Sequence, residues 1–145
     1  MQGYTVTASR RGAHASEAQG RSVVVPLDTA LDGRADALSS VELLLAAVAA
    51  ALVAGAERAV EALAFQLDGM TVRVGAARGG PTQTLVVEYD LVIDSAEPDR
   101  RIAQFHERVR RAIDVTELAH AVTPLSGRVH RHPGAATAGV PQRRE

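Results

Sequence analysis

Hydrophobic and polar positions divide the chain into short alternating runs, one long run that is apolar on every side, and one amphipathic run. Tyr4-Thr5-Val6-Thr7-Ala8-Ser9 alternates and is rich in β-branched side chains, which predicts a strand, and Arg10-Arg11-Gly12 then supplies a turn. Arg21 to Leu27, with Val23-Val24-Val25 ahead of Pro26, predicts a second strand paired with the first. Pro26 has no N–H, so the far end of that strand belongs at an edge or a terminus. From Asp28 to Leu38 the chain is polar, with Asp32-Gly33 the expected tight turn.

Ser39-Ser40-Val41-Glu42-Leu43-Leu44-Leu45-Ala46-Ala47-Val48-Ala49-Ala50-Ala51-Leu52 is built from strong helix formers and carries no charge beyond Glu42 until Glu57. The Ser39 hydroxyl can accept from the amide of Glu42 while the Glu42 carboxylate accepts from the amide of Ser39, a capping box that starts the helix. The helix is expected to run to about Leu63. Gly55 costs about 1 kcal/mol of propensity relative to Ala, which a closely packed partner helix or second subunit would justify. A helix with no polar face must be surrounded by protein or lipid. The run from Leu43 to Ala56 is shorter than the roughly 18 residues a membrane-spanning helix needs, so we read it as the central buried helix of a soluble domain.

Leu67 to Ala76 alternates Met70, Val72 and Val74 with Thr71 and Arg73, and Gly79-Gly80-Pro81 breaks it. Thr84 to Asp94 puts Leu85, Val87, Tyr89, Leu91 and Ile93 on one face and Glu88, Asp90 and Asp94 largely on the other. The two segments predict a long antiparallel hairpin. After Glu97-Pro98-Asp99, a second helix has Ile102, Phe105, Val109 and Ala112 or Ile113 at helical spacing, with Arg100, Arg101, Arg108, Arg110 and Arg111 on its other faces. Val115 to Val122 is expected to add a helical turn and Leu125 to Arg131 a last strand. Residues 1–132 make one domain, and the tail 133–145 has nothing to bury. The order predicts an α+β fold with helices against antiparallel sheet.

Composition changes this picture in two places. Among 145 residues there is no cysteine, which excludes disulfides, thiolate metal sites and any cysteine nucleophile. All 16 basic residues are arginine, so no lysine is present to form a Schiff base. The net charge of −1 and the low aromatic content give no reason to expect nucleic acid or an anionic membrane, and the arginine cluster reads as a solvated, salt-bridged helix face. The N-terminus lacks a secretory signal pattern, which makes the cytoplasm the expected location.

The element order and two local runs resemble the OsmC/Ohr family, which includes organic hydroperoxide reductases working through a pair of cysteines. Ser39 to Ala51 is similar to that family's central-helix pattern, Ser-Pro-x-Glu-Leu-Leu-Leu-Ala-Ala followed by small residues and the peroxidatic Cys. Val109-Arg110-Arg111-Ala112-Ile113-Asp114-Val115-Thr116-Glu117-Leu118 is similar to the segment around its Cys-Pro-Val, and Pro124 to Val129 fits its final strand. The departures fall on the chemistry. The first cysteine position is Ala51, or Leu52 with a one-residue slip; the second is Ile113, with Asp114 where Pro would stand, and Val41 replaces the helix proline.

The resemblance implies an intertwined homodimer with sites at the subunit interface, and it excludes thiol peroxidase chemistry here. It also matches Glu42 to a glutamate that helps an arginine activate the thiolate. Arg10, Arg11 and Arg21 are the arginines placed to meet it, although capping alone accounts for Glu42. Ligand-pocket candidates are therefore Glu42, Ala51, Leu52, Ile113, Arg10 and Arg11. The expected function is a non-peroxidase dimer with an apolar interface pocket for a small hydrophobic molecule, without cofactor, nucleic acid or membrane. The alternatives are a non-thiol enzyme using Glu42, an arginine and a histidine, or a structural or regulatory partner of a cysteine-bearing relative. Of the histidines, His130 and His132 share a strand face but lack a third metal ligand, so no metal site is expected. His106, and His120 near Asp114 and Glu117, are the acid–base candidates; His14 has no such neighbours.

Overall fold

The computed structural model describes residues 5–10, 15–81, 84–114, 128–129 and 131. Its elements in order are β1 (Thr7–Arg10), β2 (Ser16–Gly20), β3 (Val23–Leu27), α1 (Ser40–Leu63), β4 (Gly69–Gly79), β5 (Thr84–Asp94) and α2 (Asp99–Asp114). The class is α+β, with an antiparallel three-stranded sheet in the order β1-β2-β3 and an antiparallel β4-β5 hairpin.

The N-terminal sheet corrects the predicted pairing. Val23–Leu27 does not pair with the first strand; it pairs with β2, and β2 pairs with β1. Ser16-Glu17-Ala18-Gln19-Gly20 has no β-branched residue, so propensity gives no sign of β2, and its strand state rests on backbone pairing to both neighbours. Arg21 and Ser22 form the turn between Gly20 and Val23, with Arg21 at a positive φ of 55°. Arg10 lies in β1, opposite Ser16, and not in the turn. Pro26 occupies edge strand β3, where a missing N–H is tolerated. The expected turn at Asp32-Gly33 is present, with Gly33 at φ 81° donating to the Ala30 carbonyl at 3.2 Å.

α1 begins as its sequence requires. Ser39 is the N-cap and both halves of the capping box are made: the Glu42 amide donates to Ser39 Oγ at 3.3 Å and the Ser39 amide donates to Glu42 Oε2 at 2.7 Å. The helix ends at Leu63, where Ala64 turns left-handed and the Phe65 amide donates back to the Val60 carbonyl at 3.1 Å. At Gly55 α2 packs closely against the helix. A Cβ at that position would sit 3.1 Å from the Ala112 Cβ and 3.4 Å from the Val109 carbonyl oxygen.

The hairpin keeps an unbroken register from Gly69↔Asp94 to Gly79↔Thr84, so β4 starts two residues later and ends three later than its alternation predicts. Its inward residues Met70, Val72, Val74, Tyr89, Leu91 and Ile93 lie against a core of Leu52, Ala56 and Ala59 from α1, Phe65, and Phe105 and Val109 from α2. Both phenylalanines of the chain meet there, stacked with centroids 4.5 Å apart. Of the predicted last strand only Arg128, Val129 and Arg131 are described, and none is in a strand. The helical turn expected over 115–122 and the tail from 133 lie outside the described residues.

Burial divides the molecule unevenly. No residue of β1, β2 or β3 belongs to the core cluster, and Val6, Val23 and Val24 are exposed. α1 is buried only in its second half; Val41, Leu44 and Val53 are 41, 45 and 43% exposed. By length and composition alone α1 could cross a membrane, but its second half is already committed to α2 and the hairpin.

Candidate functional site

Two places in the fold gather side chains able to recognise or transform something: the first half of α1 with the end of α2 beside it, and the groove between β5 and α2.

In the first place, Ala51 is half-buried and Leu52 fully buried, on neighbouring faces of α1. α2 runs antiparallel to α1: Arg101 lies at the level of Leu63 and Ala64, and Ala112 at the level of Gly55. Ala51 lies one turn before Gly55, and Ile113 directly follows Ala112. The fold thus brings Ala51 and the backbone of Ile113 to the same end of the helix pair. Glu42 stands further back, in the first turn, exposed. Its carboxyl is held below the usual range, first by the Ser39 amide and then by the Ser39 hydroxyl.

Glu42 has no arginine among its described partners, and Arg10 is exposed in β1 and Arg21 at the β2–β3 turn. Arg11 lies outside the described residues, as do His14, His120, His130 and His132. Among the described residues no group of three metal-ligating side chains exists.

In the second place, sequence reasoning singled out His106 but not its partner. Tyr89 Oη and His106 Nε2 are hydrogen-bonded at 3.0 Å, with the rings edge to face at 6.0 Å between centroids. Tyr89 is an inward position of β5 and His106 follows buried Phe105 on α2. Each carries a recognisable pattern in its own element, but 17 residues of separation hide the pairing. His106 does not meet Glu42. Phe105 lies on α2 between Arg101 and Val109, which pack at Leu63 and Gly55, so Glu42 is roughly 25 Å back along α1 at about 1.5 Å per residue.

The arginine cluster has the predicted solvated character. Arg110 and Arg111 share Glu107 at 3.1 Å each, and together they lower its carboxyl, Arg110 more than Arg111. Arg101 is different. It bonds Glu97 at 3.2 Å, donates to the Leu63 carbonyl at 2.8 Å, and lies 5.9 Å over the Phe65 ring. α1 has no basic residue in its last turn, so Arg101 supplies from α2 the positive charge that a helix C-terminus favours.

No protein-family model matches the sequence, and no curated protein matches it. Solved structures do match. An OsmC-like protein from Mycoplasma pneumoniae superposes at a TM-score of 0.68 with 18% identity, over 82% of this chain and 86% of that one. The chain has the OsmC-like fold. An OsmC-like protein of unknown function from Vibrio cholerae gives 0.62 with 10% identity, over 84% of this chain and 94% of that one. An organic hydroperoxide resistance protein OsmC from Legionella pneumophila gives 0.54 with 17% identity, over 86% and 91%. On this OsmC-like fold the chain carries no cysteine, and Ala51 and Ile113 stand where the sequence resemblance places the two sulfurs.

Proposed function

We propose that the chain works as a homodimer whose subunits enclose an apolar pocket walled by α1, and that this pocket holds a small hydrophobic molecule in place of a peroxide. The observation that carries this reading is the half-finished burial of a single chain. α1 presents Val41, Leu44 and Val53 to solvent, and the β1–β3 sheet adds nothing to the core. Among the described residues, an apolar helix is left open along half its length and a sheet has no layer against it, surfaces that a second copy would cover at a large gain in buried area. Ala51 on this helix is half-buried. A methyl in place of a thiol makes the wall drier and favours apolar ligands.

With no sulfur nucleophile in the chain, a cysteine-based peroxidase cycle is chemically excluded. Nothing in the geometry favours the non-thiol enzyme, because Glu42 is satisfied by its own cap and stands far from His106. Sedimentation or light scattering should give about twice the 15.2 kDa chain mass, and native mass spectrometry should detect an apolar molecule retained by the dimer. A monomer at micromolar concentration, or dithiol-dependent turnover of an organic hydroperoxide by a clean preparation, would overturn the reading. Partnership with a cysteine-bearing relative would appear as a heterodimer on mixing.

A further inference from the structure

The groove between β5 and α2 lies away from the family-matched positions on α1. It has a volume of about 490 Å³ and is open on one side. Half-buried Leu91 and Ile93 of β5 and Ile102 of α2, with Ala103 beside it, give it an apolar lining. Along α2 it runs from Asp99 to His106, roughly 10 Å at about 1.5 Å per residue. Asp99 stands exposed at one end, and Tyr89 and His106 close the other with the 3.0 Å bond between Oη and Nε2. That bond uses one hydrogen, and a phenolic oxygen has capacity for a further bond. If Tyr89 donates to the imidazole, its oxygen still accepts; if the imidazole donates, the Tyr89 hydroxyl donates elsewhere.

We propose that this groove binds a small neutral molecule with an apolar body and one hydroxyl, of the phenol class. The body lies along Leu91, Ile93 and Ile102, and the hydroxyl meets Tyr89 Oη. A hydroxyl both donates and accepts, so it completes the Tyr89–His106 pair whichever of the two holds the shared hydrogen. An apolar molecule without one would strip water from the Tyr89 oxygen and put nothing in its place, which costs affinity. An anion of the same shape would be set against the Asp99 carboxylate. A mostly apolar concavity with a few convergent polar groups is the usual form of a small-molecule site. The Tyr89–His106 bond ties strand to helix and holds the polar end in place before a ligand arrives, which lowers the ordering cost of binding.

The test titrates 4-ethylphenol and ethylbenzene, which differ by one hydroxyl, into the full-length protein and follows amide shifts by NMR. 4-Ethylphenol should saturate and bind roughly three- to tenfold more tightly than ethylbenzene, although the hydrocarbon is the more hydrophobic of the two. The shifts should cluster at residues 89–93 and 99–106. Tyr89→Phe keeps the ring, removes only the oxygen, and should abolish the preference for the phenol. Ala103→Phe fills the groove from an exposed helix position and should weaken both probes, which tests the site even if Tyr89→Phe loosens strand from helix. Equal affinity for the two probes, no saturable binding, a preference unchanged in Tyr89→Phe, or shifts confined to residues 44–53 of α1 would overturn the proposal. The last outcome would leave the interface-pocket reading standing, and failure of the dimer would leave this site untouched.

Discussion

Ala64 sits at φ 45°, ψ 47°, a left-handed conformation that crowds the Cβ of an L-residue, and it does so to let Phe65 fold back into the core. Ala64→Gly should therefore stabilise the protein by about 0.5–1 kcal/mol, the relief of the left-handed penalty less the larger unfolded-state freedom of glycine, as read by urea denaturation. Gly55 has the opposite sign. The 3.1 Å approach of Ala112 leaves no room for a side chain, so Gly55→Leu should destabilise by about 1–3 kcal/mol in the same assay. At the other end of α1, Ser39→Ala removes the hydroxyl that caps Glu42 and should cost about 1 kcal/mol. Glu42 and Ser39 were legible as a cap from spacing alone because a capping box is local. The closeness at Gly55 was legible only as an expectation, since the sequence did not say what would pack there.

Elements were predicted well where a pattern repeats within one segment. α1 ends at Leu63 and β5 spans Thr84–Asp94 as expected, because helical composition and period-two alternation are properties of the segment itself. β2 was invisible for the converse reason: five polar and small residues become a strand only because β1 and β3 lie on either side. The junction of α1 and α2 depends on a cluster drawn from two stretches far apart in sequence, 63–66 and 95–101. Glu97 accepts from Arg101 and from the Gln66 amide at 3.0 Å, Ser95 donates to the Gln66 carbonyl, and Arg101 caps α1.

The Glu97 carboxyl is held below the usual range, mainly by Arg101 and then by the Gln66 amide. Stabilisation of this sign is fully present above the unfolded-state value, about 4.3, and is lost as pH falls through the lower folded-state value. Glu97→Gln should therefore flatten the fall of stability below about pH 4.3, measured by thermal unfolding across pH. An unchanged acid limb would mean that the cluster is not a pH-linked clasp.

For the whole molecule, the surface that matters is the one a single chain leaves open. Leu44→Glu puts a charge on the exposed apolar side of α1, away from the intrachain core, and should convert the proposed dimer to monomer while leaving the helix intact. Sedimentation read beside circular dichroism would check both halves; a dimer that survives would show that α1 is not at the interface. By itself the sequence determined the fold class, both helices, the hairpin, the cap and the exclusion of thiol chemistry, because each follows from local periodicity, local hydrogen bonding or the absence of an atom. The tertiary structure alone decided that α1 is buried over only half its length, that β2 joins the N-terminal sheet, and that Tyr89 meets His106. Those depend on which distant segments pack together, and a side chain's neighbours across the fold leave no mark on its own stretch of sequence.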